Sequence, residues 1–373
     1  MKQTPFYHYD LELLDRTLQA IKAAIGSHSN YHVHYAIKAN ANPMVLERIC
    51  KAGFGVDCVS GGEVDAALKA GFAPEKIVFA GVGKADWEIE LALKAGIFCF
   101  NVESEPELEV ISQMASEMGK QATIALRVNP NVDAHTHANI TTGLAENKFG
   151  INIELLPALV KRAQSMPGIK LDGLHFHIGS QILQMDVFET LAYRINQLLD
   201  QLSLEGFRPT HINVGGGLGI DYENPEENPI PDFAGYFETL SKHLNLGAGQ
   251  QLHSELGRSV VAQCGRLITK VLYVKKGTVK QFVIVDAGMT DLVRPAMYGS
   301  HHKIVNISST GPEEKYDVVG PICESSDVFD KDIMLAETHR GDYLAILSAG
   351  AYGEIMASQY NLRKLPGSSS TME

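Results

Sequence analysis

The apolar residues of this chain fall into short runs that alternate with longer, one-faced stretches. Residues 5–11 read as a short strand, and 11–25 carries apolar positions at helical spacing (Leu14, Leu18, Ile21, Ile25) closed by Gly26, a residue suited to the turn that ends a helix. A repeat then begins. Strands are predicted over 32–39, 55–59, 76–80, 97–102, 123–129, 171–178, 211–214 and 251–255. Helices are predicted over 43–52, 63–70, 86–95, 106–118, 155–166, 187–204 and 233–244, with a longer loop over 130–149.

Strict strand-helix alternation with eight apolar strands suits a closed parallel barrel better than a doubly wound sheet. Only the last strand lacks a clear following helix. After about residue 260 the pattern changes to β-rich runs over 267–274, 281–285 and 343–346, separated by Gly, Pro and Asp turns. The expected fold is a parallel (β/α)8 TIM-type barrel over 12–260 and a C-terminal β-rich, Greek-key-like barrel domain over 261–373, joined by the N-terminal strand 1–11. The polar, Ser-rich tail 367–373 is expected to be disordered.

Composition narrows the partners. The 373 residues carry a formal charge of −12 and no basic run, which argues against nucleic acid, whose phosphates need clustered Lys and Arg. No apolar stretch is long enough to cross a bilayer, and Met1-Lys2-Gln3-Thr4-Pro5 lacks the apolar core of a signal peptide, so a cytoplasmic protein with a small-molecule substrate is expected. The five cysteines, Cys50, Cys58, Cys99, Cys264 and Cys323, show no Cys-x-x-Cys spacing, so neither a disulfide framework nor a zinc ribbon is suggested.

Active sites of parallel barrels lie at the C-terminal ends of the strands. Lys38 ends the first predicted strand; His177, Gly179 and Ser180 end the sixth; Gly215, Gly216 and Gly217 end the seventh; Glu255, Leu256, Gly257 and Arg258 end the eighth. A lysine leaving a strand is ordinarily a solvated charge, and a triple glycine is equally a tight turn or a backbone nest for a phosphate. The dinucleotide fingerprint is absent, because Ile220 stands where its last glycine belongs. Arg258 suits the same anion, although a lone arginine is usually a surface charge.

His175 and His177 share a strand face and could ligate a metal, which keeps a metal-dependent hydrolase as a rival reading; His32 and His34 repeat the pattern, so the pair is not diagnostic. No metal site is expected. Glu255 reads either as a structural partner for Arg258 or as a carboxylate that keeps a pyridine nitrogen protonated. An amine for a Schiff base, a phosphate nest, a histidine to lie on a ring and a carboxylate for the ring nitrogen together specify pyridoxal 5′-phosphate.

Tyr35-Ala36-Ile37-Lys38-Ala39-Asn40, the His-Ile-Gly-Ser-Gln run from His177 to Gln181, the triple glycine and Glu255-x-Gly-Arg resemble the barrel of the alanine racemase-like, fold-type III pyridoxal-phosphate decarboxylases. The segments 294–299, 320–327 and 350–352 are similar to the diaminopimelate decarboxylase family. This resemblance implies a carboxy-lyase acting on meso-diaminopimelate, with Lys38 holding the cofactor, His177 stacking on its ring and Glu255 binding its nitrogen. Ser180, Gly215, Gly216, Gly217, Gly257, Arg258 and Tyr352 would surround the phosphate, and Asp57 and Arg127 would support the ring and Lys38.

The same resemblance implies a homodimer with shared active sites. Arg258, Arg294, Tyr298 and Tyr352 would line the substrate, while Glu324 and the proton donor Cys323 would come from the partner. One departure is visible: Leu256 stands where the family usually has proline, which implies a slightly different turn. Within the same cofactor class the alternatives are decarboxylases of carboxynorspermidine, arginine or ornithine. A non-catalytic cofactor carrier would need only the barrel.

Overall fold

The computed structural model describes residues 3–132 and 148–370; most of the loop expected over 130–149, and the last three residues of the tail, lie outside the described residues. After β1 (Phe6–Tyr9) and α1 (Leu11–Ile25) come β2 (Tyr31–Ala36), α2 (Pro43–Lys51), β3 (Gly55–Cys58), α3 (Gly61–Lys69), β4 (Ile77–Phe79), α4 (Asp86–Ala95), β5 (Cys99–Val102), α5 (Glu105–Glu117) and β6 (Ala122–Asn129). The two-residue β7 (Ile151–Asn152) precedes α6 (Leu156–Ser165), β8 (Ile169–His175), α7 (Met185–Leu204), β9 (His211–Asn213), α8 (Phe233–His243), β10 (Gln251–Leu256) and the four-residue α9 (Arg258–Val261).

Strands pair in the order β5-β4-β3-β2-β10-β9-β8-β6, and β5 pairs with β6, which closes an eight-stranded parallel barrel; β7 adds only to the edge of β6. The predicted alternation is therefore a closed barrel. Helix starts set the loops on its C-terminal rim. Ser60 Oγ accepts from Glu63 N (3.2 Å) and Ser104 Oγ from Glu107 N (3.4 Å), so α3 and α5 begin three residues after their strands end, with an orphan donor satisfied. Asn42 does the same for α2.

The N-terminal half of the barrel interior is a layer of imidazoles. His34 Nε2 lies 2.8 Å from His253 Nδ1, and the rings of His34, Phe98 and His253 lie nearly parallel. A Cβ on Gly173 would meet the His211 ring at 2.1 Å, which is why that strand position is glycine. Among the described residues no three His, Cys, Asp or Glu side chains group as metal ligands, and no helix is long and apolar enough to cross a membrane.

The remaining strands are β11 (Gly265–Lys276), β12 (Gln281–Val285), β13 (Ile304–Asn306), β14 (Glu313–Val319), β15 (Val328–Ala336), β16 (Tyr343–Ile346) and β17 (Gly367–Ser370), with α10 (Arg294–Tyr298) between β12 and β13. They form a mostly antiparallel sheet in the order β13-β16-β11-β12-β14-β15, and β1 joins it through β11. The expectation of a disordered tail is overturned at 367–370, which pair in parallel with Phe6–Tyr9. That ladder is made by backbone groups, so serines serve as well as apolar residues. By contacts the chain divides into one unit of residues 18–219 and 232–257 and another of residues 1–17, 220–231 and 258–373.

Candidate active site

Lys38 was expected to end a strand. Instead β2 stops at Ala36, and Lys38 is the centre of a single 3-10 turn, Ile37–Ala39, which lifts its side chain off the sheet. Its Nζ lies 3.5 Å from Asp57 Oδ2; the lysine side chain is 40% exposed and the aspartate fully buried, so the amine reaches open space while its counter-charge stays inside. Burial, and then the neighbouring Glu255 charge, push the Asp57 carboxyl well above the usual range. Its second oxygen, Oδ1, has no hydrogen-bond partner.

Glu255, on β10, is gripped by three donors. Asn213 Nδ2 donates to Oε1 at 2.7 Å, Asn101 Nδ2 donates to the same oxygen at 2.9 Å, and His175 Nε2 lies 2.9 Å from Oε2. Burial alone disfavours the charged carboxylate, but the His175 contact and the Lys38 charge outweigh it and hold Glu255 below the usual carboxylate range. A carboxylate has about four acceptor positions, so roughly one remains for a further donor. His175 thus touches the carboxylate directly.

The glycine turn is shaped by close approach. A Cβ on Gly216 would stand 2.0 Å from the Glu255 carbonyl oxygen, and one on Gly215 would stand 2.3 Å from that of Phe176. From sequence the triple glycine is equally a tight turn or a nest of N–H groups for a phosphate. The structure engages two of them: Gly215 N donates to Asn213 Oδ1 (2.9 Å) and Gly216 N to His177 Nδ1 (3.3 Å). Gly217, at φ +111°, keeps its N–H without a partner among the described residues.

His177 lies two residues beyond the end of β8, in the loop that also carries Ser180 and pairs with the glycine turn through Ile182 and Leu218. Burial, then the charges of Lys38 and Arg127, lower its pKa well below the ordinary value, so the ring is neutral. Because Nδ1 accepts from Gly216, the proton sits on Nε2. Arg127 on β6 donates to Glu103 Oε1 (2.7 Å) and lies over the Phe149 ring at 4.8 Å. Gly257 is buried directly after β10.

The other unit brings a second group together. Arg258, buried, donates to Tyr222 Oη at 2.6 Å, and its guanidinium lies 5.1 Å from the Tyr352 ring centre. Arg294, also buried, lies 5.6 Å from the same ring and 5.5 Å from that of Tyr298. Arg294 Nε has no hydrogen-bond partner. Tyr352 holds this place at φ +56°, a left-handed backbone that non-glycine residues rarely adopt and that needs support from its surroundings. Cys323 and Glu324 stand apart and exposed: Cys323 N donates to Asn361 Oδ1 (3.1 Å) and Tyr360 Oη to Glu324 Oε1 (2.6 Å).

Sequence reasoning missed Asn101, Asn213, Glu103 and Tyr222. A signal existed for Asn101, the one polar residue of the strand Cys99–Val102; Asn213 follows His211 and Ile212 in a strand that is polar at both ends and stood out less. Tyr222, between Asp221 and Glu223, carried none.

The family model for the pyridoxal-binding domain of pyridoxal-dependent decarboxylases matches residues 11–262. A diaminopimelate decarboxylase of Bacteroides thetaiotaomicron is 60% identical over 364 residues, spanning 98% of this chain and 94% of that protein. The diaminopimelate decarboxylase of Helicobacter pylori, solved with L-lysine bound, has a TM-score of 0.94 at 42% identity, over 99% of this chain and 92% of that one. The enzyme of M. jannaschii, also solved with L-lysine, has a TM-score of 0.91 at 36% identity, over 99% of this chain and 88% of that one. With its barrel, its rim lysine and this identity along nearly its whole length, the chain belongs to the diaminopimelate decarboxylase family of pyridoxal-dependent decarboxylases.

Proposed function

We propose that this carboxy-lyase removes the carboxylate at the D-configured centre of meso-diaminopimelate as carbon dioxide, leaving L-lysine, the closing step of lysine biosynthesis. Arg294 carries the substrate assignment: its guanidinium is buried against Tyr298 and Tyr352 with Nε unpartnered. A second carboxylate on the substrate would satisfy that donor. Ornithine, arginine and carboxynorspermidine place no such group at the far end and would leave it unpaired in a buried site, a discrimination that binding energy can supply.

The residues present fit pyridoxal 5′-phosphate. Side chains at Gly215 or Gly216 would collide with neighbouring backbone, the Gly217 N–H has no partner among the described residues, and Glu255 has an acceptor position to spare. When bound, the cofactor supplies an aldehyde that condenses with amines and a protonated ring that accepts electrons as carbon dioxide leaves. Lys38 would hold it, His177 would lie on the ring, and Ser180, Gly215 to Gly217, Gly257, Arg258 and Tyr352 would enclose the phosphate.

Lys38 must shed a proton before its amine can attack, and Asp57 Oδ2, 3.5 Å away with a raised affinity for protons, is the acceptor at hand. Glu255 keeps the ring nitrogen protonated. Its three donors fix the carboxylate in position and leave its charge in place to face that nitrogen. Arg127, pinned by Glu103, supports the ring from β6.

The protein works as a cytoplasmic homodimer in this reading. Arg258, Arg294 and Tyr298 grip the distal carboxylate, Tyr352 closes the pocket, Glu324 of the partner subunit takes the distal amine, and Cys323 of the partner subunit donates the proton that replaces carbon dioxide. The exposure of Cys323 and Glu324 supports this, since neither is buried in its own chain. A substrate panel tests the assignment. Steady-state kcat/KM for meso-diaminopimelate should exceed that for ornithine, arginine and carboxynorspermidine; equal or higher values for any of the three would refute it.

A further inference from the structure

We propose that Asn213 is a positioning residue that builds the glycine turn and the Glu255 carboxylate into one unit, so that the phosphate cradle and the ring-nitrogen clamp are set by a single side chain. The inference rests on the reading of Glu255 and Gly215 to Gly217 as cofactor contacts. Asn213 is the last residue of β9 and is fully buried. Its amide has two ends, and each is spent on a different half of the site. Oδ1 accepts from Gly215 N at 2.9 Å, an Asx turn that starts the Gly-Gly-Gly bend. Nδ2 donates to Glu255 Oε1 at 2.7 Å.

The backbone repeats the link. Gly215 O accepts from Glu255 N at 2.7 Å, and Val214 N donates to His253 O at 2.9 Å, so the turn is sewn to β10 on both sides of the side chain. Asparagine is the residue that fits, because one end must accept from a peptide N–H while the other donates to an anion. Aspartate would keep the first bond. At Glu255, however, it would set two carboxylates in contact, and such a pair traps a proton between them. Asn101 provides the contrast: it donates to the same Glu255 oxygen at 2.9 Å, and its Oδ1 has no hydrogen-bond partner.

Two cofactor forms separate the halves, since pyridoxal lacks the phosphate that pyridoxal 5′-phosphate carries. The cofactor-stripped full chain is titrated with each by equilibrium dialysis, and kcat is measured on reloaded protein. Asn213→Leu should lower the preference for pyridoxal 5′-phosphate over pyridoxal by roughly tenfold, the effect of one buried hydrogen bond lost. Asn101→Leu should lower kcat and keep the wild-type preference. Asn213→Asp should also keep the preference, because its Asx turn survives, while kcat falls. An unchanged preference in Asn213→Leu, or a collapsed one in Asn213→Asp, overturns the proposal; if Asn213→Leu does not fold, Asn213→Asp alone decides. A wild-type chain that binds both forms equally would refute instead the reading of the phosphate site.

Discussion

Lys38 Nζ stands 3.5 Å from Asp57 Oδ2, a half-exposed amine beside a fully buried carboxyl whose charge burial and Glu255 both oppose. This pairing differs from a surface ion pair. The aspartate gains by taking a proton, and the lysine becomes a nucleophile by losing one. Lys38→Ala should abolish the absorbance of bound cofactor and turnover together. Asp57→Asn should leave Lys38 in place but slow cofactor loading by tenfold or more, read by stopped-flow absorbance; loading at the wild-type rate would remove Asp57 from the proton path.

Glu255→Gln should fold and bind cofactor. Both asparagine donors meet Oε1, so the glutamine carbonyl can take that place while its amide faces His175 Nε2, which accepts once the imidazole changes tautomer. What is lost is the charge that keeps the ring nitrogen protonated. We expect kcat to fall about a hundredfold with little change in cofactor affinity. Unchanged kcat would take Glu255 out of the mechanism.

Arg294→Lys keeps the positive charge but loses the planar fork and the Nε donor. The KM for meso-diaminopimelate should rise about tenfold with kcat less affected, as expected when a binding contact is removed. An unaltered KM would mean that another group holds the distal carboxylate.

The imidazole layer makes a prediction about acid. Burial pushes His34 down to about 4, while in an unfolded chain it titrates near ~6.5. Below that pH the unfolded state binds more protons than the folded one. The stability contributed by keeping His34 neutral is therefore complete at neutral pH and is lost as pH falls toward about 4, an effect of about 3 kcal/mol. Melting temperatures across that range should fall with pH, and His34→Phe should flatten the slope. An equal slope in the variant would place the titration elsewhere.

The proposed sharing of sites between subunits predicts complementation. Lys38→Ala and Cys323→Ala should each be nearly inactive alone, yet co-expression should restore a fraction of wild-type turnover, because a mixed dimer has one site with both residues intact. A mixture no more active than the sum of its parts would argue against Cys323 acting across the interface.

The barrel was legible because eight short strand-like runs recur in order and each of the first seven leads into a one-faced helix, a pattern with few other solutions. The strand at Gly367–Ser370 was not, since its pairing with Phe6–Tyr9 uses backbone groups and leaves no trace in side-chain polarity. Among the proposed site residues, Lys38, His177, Glu255 and the glycines could be picked out because each lies at or just beyond the C-terminal end of a barrel strand. Side chains that act on other side chains left weaker signals. Asn101 and Asn213 are conspicuous only once Glu255 is known to lie between them, and the Gly216 N–H is engaged by His177, a partner 39 residues away in the chain and beyond the reach of any local motif.

Decarboxylation of meso-diaminopimelate at a cofactor held by Lys38 can be read from its two products. Incubating the cofactor-loaded protein with meso-diaminopimelate and measuring both products tests it most directly. Carbon dioxide and L-lysine should form in equal amounts with the wild-type chain, and neither should form with Lys38→Ala. Release of carbon dioxide without lysine, no product from the loaded wild type, or equal turnover by Lys38→Ala would contradict it.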